Sequence, residues 1–142
     1  MRVVGIDLGQ RRIGIAVTDS SGTIASPRAT LRRSGNDEAD RHQLVALVEE
    51  VGAGKVVVGL PLSMNGREGK AALLARQEIA ELEKLLAPRG VSVESFDERL
   101  TTVTADRALS EAGLSGQKRR RVVDQSAAAV MLQAWLEQHR GG

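Results

Sequence analysis

Residues 1–19, MRVVGIDLGQRRIGIAVTD, decide the fold. Val3 to Gly9 is β-branched or apolar at nearly every position and predicts a strand; Arg12 to Thr18 predicts a second. Only Gly9, Gln10 and Arg11 separate them, a link short enough to make the pair an antiparallel hairpin. Asp7 stands inside the first strand, between Ile6 and Leu8. A charge in a central strand is costly unless it is paired or binds a metal. An aspartate just before a glycine also suits a turn, so the strand by itself leaves both roles open.

Working outward, Ser20-Ser21-Gly22 signals a turn and Thr23 to Leu31 a third strand. Pro27 cannot donate to a ladder, so this strand is expected at a sheet edge. Asn36 or Asp37 caps a helix running to about Val51, with Leu44, Leu47, Val48 and Val51 on one face and Gly52 and Gly54 stopping it. Lys55 to Leu60 (KVVVGL) is a continuous apolar run, as expected of a parallel strand covered on both faces. A polar loop, Pro61 to Gly69, leads to a long helix ending near Ala87, and Pro88-Arg89-Gly90 terminates it. Val91 to Glu98 predicts the fifth strand, and Thr101 or Thr102 caps a short helix through Ala112. Gly113 to Arg121 reads as a basic loop. Asp124 then opens the last helix, with Ala127, Met131, Ala134 and Trp135 on one stripe. Three strands in a meander followed by alternating helices and strands predict an α/β fold. Its five-stranded mixed sheet is flanked by helices, with the first strand central, in the ribonuclease H-like layout.

A chain of 142 residues suits one core, so residues 1–142 are expected to form a single domain. Cysteine is absent, which excludes disulfides, thiolate metal sites and a cysteine nucleophile. The basic and then apolar start is too short for a signal peptide, and Asp7 interrupts it. No stretch approaches the roughly 20 apolar residues that span a bilayer, so no membrane partner and a cytoplasmic location are expected. The net charge is only +2, but the cations are clustered: Arg11-Arg12, Arg32-Arg33 and the run Lys118-Arg119-Arg120-Arg121. Glu78, Glu81 and Glu83 crowd elsewhere. Such separation suits one basic face for phosphates.

Two further carboxylates gain meaning beside Asp7. Glu98, in Phe96-Asp97-Glu98-Arg99, ends the fifth strand and by itself reads as solvated or paired with Arg99. Asp124 by itself reads as a helix cap. Parallel strands, however, carry their C-terminal ends to one sheet edge, where α/β sites form. Asp7 and Glu98 approach that edge, and the last helix can bring Asp124 beside them. Three such carboxylates repel one another unless cations lie between them, and oxygen donors select Mg²⁺ or Mn²⁺. A pair of these ions about 4 Å apart activates water and stabilises the leaving oxygen of a phosphodiester. Arg12, Arg99, Lys118, Arg119, Arg120 and Arg121 are the candidate phosphate contacts. Phe96 and Trp135 are the only aromatics, so phosphate and shape reading is favoured over base stacking.

The strings GIDLGQRRIGIAVTD, VVVGLPLSMNGREG, FDERLTT and VDQSAAAVMLQAWL resemble, in order and spacing, the motifs of the YqgF/RuvX family. The resemblance covers essentially the whole chain. It implies a ribonuclease H-like fold, a divalent metal, and a nuclease that cuts structured nucleic acid, processing the 5′ end of pre-16S rRNA in ribosome biogenesis. The family's acidic motif positions fall on Asp7, Glu98 and Asp124. Some relatives in the wider superfamily carry an acid on the fourth strand; Gly59 occupies that region here, which leaves the second ligand to Glu98. The family is also described as Holliday junction resolvase-like, so a DNA nuclease is the alternative, and a non-catalytic nucleic-acid-binding maturation factor is another. A junction enzyme needs two active sites and hence a homodimer; an RNA processor can work as a monomer. Actin-like and sugar-kinase ATPases share an Asp-x-Gly hairpin but need two such domains, and this chain supplies one.

Overall fold

The computed structural model describes residues 1–62, 65, 67–97 and 116–140, the last segment with side chains from Ala127 to His139. Its elements are β1 (Arg2–Leu8), β2 (Arg12–Thr18), β3 (Ala25–Arg32), α1 (Asp37–Val51), β4 (Ala53–Leu60), α2 (Lys70–Leu86), β5 (Ser92–Asp97) and α3 (Gly116–Arg140). The expected short helix from Thr101 or Thr102 to Ala112 lies outside the described residues.

The five strands form one sheet in the order β3-β2-β1-β4-β5. β2 is antiparallel to both β1 and β3, while β4 is parallel to both β1 and β5. The first strand is therefore central, as its patterning predicts, and Pro27 sits on the edge strand. Asp19 organises the β2–β3 turn. Its carboxylate accepts from Ser21 Oγ, from the Thr23 hydroxyl, and from the backbone N–H groups of Thr23 and Ile24. These bonds, that from Ser21 foremost, hold the carboxyl well below the usual aspartate range. They also delay β3 until Ala25, two residues past the expected start.

Side chains alternate across the sheet and sort the core into two layers. Val4, Ile6, Ile13, Ile15, Val56 and Val58 face α1 and α2, meeting Leu44, Val48, Leu82 and Leu86. Val3, Ala16, Val57 and Phe96 face α3, meeting Ala128, Met131, Leu132, Trp135 and Leu136. Gly5 belongs to this second row, and a Cβ there would lie 3.0 Å from Leu132 Cβ, so its bare backbone lets α3 come close. Asn36 caps α1 as expected, its side chain accepting from Ala39 N at 3.0 Å, and Gly52, at φ 72°, ends it.

The last helix differs from expectation in two ways. It begins at Gly116, not Asp124, so 116–121 is helical rather than a loop and Asp124 is not a cap. Lys, Arg and Gln are strong helix formers, and a like-charged run lacks any residue that breaks the backbone pattern. The buried stripe is Ala128, Met131, Leu132, Trp135 and Leu136, with Ala127 and Ala134 only partly covered.

Candidate active site

The site begins at the tip of the β1–β2 hairpin. Gly9 N donates to Arg12 O at 2.9 Å, closing the turn. A Cβ on Gly9 would lie 2.6 Å from that same oxygen, which no side chain tolerates. From the far side Arg33 braces the tip: its Nε donates to Gly9 O at 2.7 Å, and its backbone N–H to Arg11 O at 2.8 Å.

This turn fixes the register that matters. Asp7 pairs with Gly14 on β2. On the other side Ile6 pairs with Val58, and continuing that parallel register brings Gly59 alongside Asp7. Asp7 alternates with Val3 and Gly5, so its side chain lies on the α3 face, where both neighbouring strands present a glycine. The carboxylate is half-buried, and its neighbours in the sheet on either side carry no side chain. At the same carboxyl edge β4 ends at Leu60, paired with Asp97, the last residue of β5.

Of the other sequence-predicted residues, Arg12 opens β2, half-buried, directly opposite Arg32. Glu98 and Arg99 lie outside the described residues. Lys118, Arg119, Arg120, Arg121 and Asp124 fall on α3, their side chains outside the described set. Among the described residues no group of three or more acidic or histidine side chains converges to hold a metal. A groove of about 920 Å³ opens at the same edge but on the opposite face, between the hairpin tip and α2. Asp7 does not line it, its Arg41 guanidinium is held by Glu78 and its Arg33 braces the hairpin tip, so Asp7 is the better candidate for chemistry. His42 faces Glu38, with 3.9 Å between Nε2 and Oε1, and His139 stacks on Trp135.

The flanking Gly14 is what sequence reading passed over. Counting outward from the Gly9–Arg12 turn places 14 opposite 7, so the signal was present in the hairpin.

A family profile described as "RuvX: Holliday junction resolvase" matches residues 1–138. The chain belongs to the RuvX family. Relatives named "Putative pre-16S rRNA nuclease" include one from Frankia casuarinae, 46% identical over 97% of this chain and 67% of its own length. One from Rhodococcus opacus is 44% identical over 96% of this chain and 78% of its own. Another, from Myxococcus xanthus, is 45% identical over 99% and 90%. Among solved structures, Thermus thermophilus RuvC superposes with a TM-score of 0.60 at 14% identity, covering 99% of this RuvX chain and 97% of that one. The yeast mitochondrial Holliday junction resolvase Ydc2 gives 0.53 at 10% identity, covering 98% and 81%. These two share the fold, which is ribonuclease H-like as the strand order predicts.

Proposed function

We propose that this RuvX protein is a metal-dependent endonuclease that processes the 5′ end of pre-16S rRNA, with Asp7, Glu98 and Asp124 as its catalytic carboxylates. The observation that carries the reading is the placement of Asp7: a carboxylate on the central strand, at the carboxyl edge, between two glycines. A half-buried carboxylate with a glycine on each neighbouring strand suits a cation and a phosphate better than it suits a turn. Glu98 follows directly on Asp97, the end of β5 at that same edge. Position 124 lies one helical turn before Ala128, which is buried against the sheet. Gln133, three turns later at most, accepts from Ala25 N at the opposite edge. That anchorage supports the earlier turns of α3 lying on the Asp7 side.

These residues fit a divalent ion, being hard oxygen donors. Mg²⁺ or Mn²⁺, when bound, supplies a Lewis acid that lowers the pKa of water and stabilises the leaving oxygen. The rigid strand fixes the Asp7 carboxylate, and the flanking glycines admit the scissile phosphate beside it. Arg12, Arg99 and Lys118 to Arg121 would bind flanking phosphates. Work on a ribosomal precursor places the protein in the bacterial cytoplasm, and a single site suffices for it. A junction-cleaving reading draws on the family's description as a resolvase, and it would require a dimer. Incubating the folded protein with a pre-16S rRNA fragment and with a four-way DNA junction, in Mg²⁺ or Mn²⁺, separates the two. Cleavage of the RNA is expected; cleavage of the junction alone would move the assignment to DNA, and cleavage of neither would leave the binding-factor reading.

A further inference from the structure

We propose that Thr30, on the edge strand β3, is a positioning residue for Asp7: its buried hydroxyl holds the carboxylate through one water, across the bare backbone of Gly14. The proposal rests on the nuclease reading above and adds a side chain that orients the carboxylate from two strands away.

Gly14 pairs with Asp7 on one side and with Thr30 on the other. Residues paired across strands put their side chains on the same face. Asp7 and Thr30 therefore share the α3 face, and the glycine between them carries no side chain. The pattern of β3 agrees: Ala29 and Leu31 pack into the layer under α1 and α2, so Thr30 points the opposite way. Strands about 4.8 Å apart put the Asp7 and Thr30 Cα atoms about 10 Å from each other. Two short side chains cannot close that span directly, whereas one water between them, with bonds of about 2.8 Å, can.

The hydroxyl is what sets Thr30 apart. Among the described residues its Oγ1 is buried and has no hydrogen-bond partner. The chain meets such demands elsewhere. Thr18 Oγ1, also buried, accepts from Val3 N at 2.9 Å. The buried Asp40 carboxylate accepts from Ser34 Oγ at 2.7 Å. Packing on β3 does not require the polar atom, because valine has the same branched shape and the same preference for a strand. A buried hydroxyl that the fold leaves unmatched, in the row of the proposed catalytic carboxylate, is accounted for by a role in positioning that carboxylate. Thr30 O–H donates to the water, and the water donates to an Asp7 carboxylate oxygen, which limits rotation of the carboxylate.

The test isolates the hydroxyl by comparing wild type with Thr30→Ser, Thr30→Val and Thr30→Ala. Mn²⁺ affinity is measured by isothermal titration calorimetry without nucleic acid, melting temperature in EDTA, and kcat and KM on a pre-16S rRNA fragment. Wild type and Thr30→Ser should behave alike. Thr30→Val and Thr30→Ala should each bind Mn²⁺ about tenfold more weakly and lose about tenfold in kcat, the low end for a group acting through a metal ligand, with KM nearly unchanged. Thr30→Val should still melt near wild type, since no protein group loses a partner. Should it melt lower, Thr30→Ser against Thr30→Ala, which differ only in the hydroxyl, carries the comparison. Wild-type affinity and kcat in Thr30→Val and Thr30→Ala overturn the positioning role and leave the nuclease reading intact. So does a loss that follows side-chain size, with Thr30→Ser impaired and Thr30→Val not. A wild type that neither binds Mn²⁺ nor cleaves overturns both.

Discussion

A Cβ on Gly9 would sit 2.6 Å from the Arg12 carbonyl oxygen, so the hairpin that sets the Asp7 register depends on a missing side chain. Gly9→Ala must open that turn. We expect a loss of about 1–3 kcal/mol in urea denaturation, the usual cost of forcing atoms into a filled space, and a fall in cleavage as Asp7 loses its place between Gly14 and Gly59. At this scale the sequence was most informative about Asp7. A charge in an apolar strand is a conflict visible without coordinates. Gly14 was less legible, because its meaning comes from pairing across the hairpin. Arg32 was recognisable only as a cation: nothing local says that it faces Arg12.

At the scale of elements, α3 holds the account together, because one of the proposed ligands rides on it. Its position rests on Leu132, fully buried beside the bare backbone of Gly5. Leu132→Ala should cost about 2–5 kcal/mol by thermal or chemical denaturation; a negligible cost would mean that α3 is not docked there. A polar latch secures the same helix. Glu94 on β5 accepts from Lys55 Nζ at 2.8 Å and from Trp135 Nε1 at 3.0 Å, while Lys55 lies 5.6 Å from the centre of the indole ring. Partial burial alone would raise the Glu94 pKa, but the bonds from Lys55 and Trp135 outweigh it and hold the carboxyl below the ordinary glutamate range. A lowered folded-state pKa adds stability that is present above the unfolded value and is lost as pH falls through the folded one. Glu94→Gln should therefore remove part of the acid-side decline in a stability-versus-pH series, with its largest effect near neutral pH. Strand order and both α1 boundaries were legible in the sequence because period, caps and glycines agreed there. The start of α3 was not. Asp124 is a good cap, and the basic run before it looked like a solvated loop, whereas high helix propensity carries the helix back to Gly116.

For the whole molecule, topology is what turns scattered residues into a site. Putting β1 between an antiparallel and two parallel strands brings the hairpin tip, the end of β4 and the end of β5 to one edge. Among the described residues no helix is long and apolar enough to cross a membrane, and Arg11, Arg12, Arg32 and Arg33 lie at the same edge as Asp7. The sequence could predict this convergence from strand order, but not which face of the sheet would carry it; that follows from α3 packing over Val3 and Gly5, in whose row Asp7 stands. The most direct test is Asp7→Asn, followed by cleavage of a pre-16S rRNA fragment in Mg²⁺ or Mn²⁺ and by binding of the same RNA in EDTA. Partners one shell away from a metal already cost about 10–100-fold when removed, so loss of a direct ligand should cut cleavage by more than about 100-fold while binding changes little. Metal-dependent cleavage at the wild-type rate by Asp7→Asn would contradict the account.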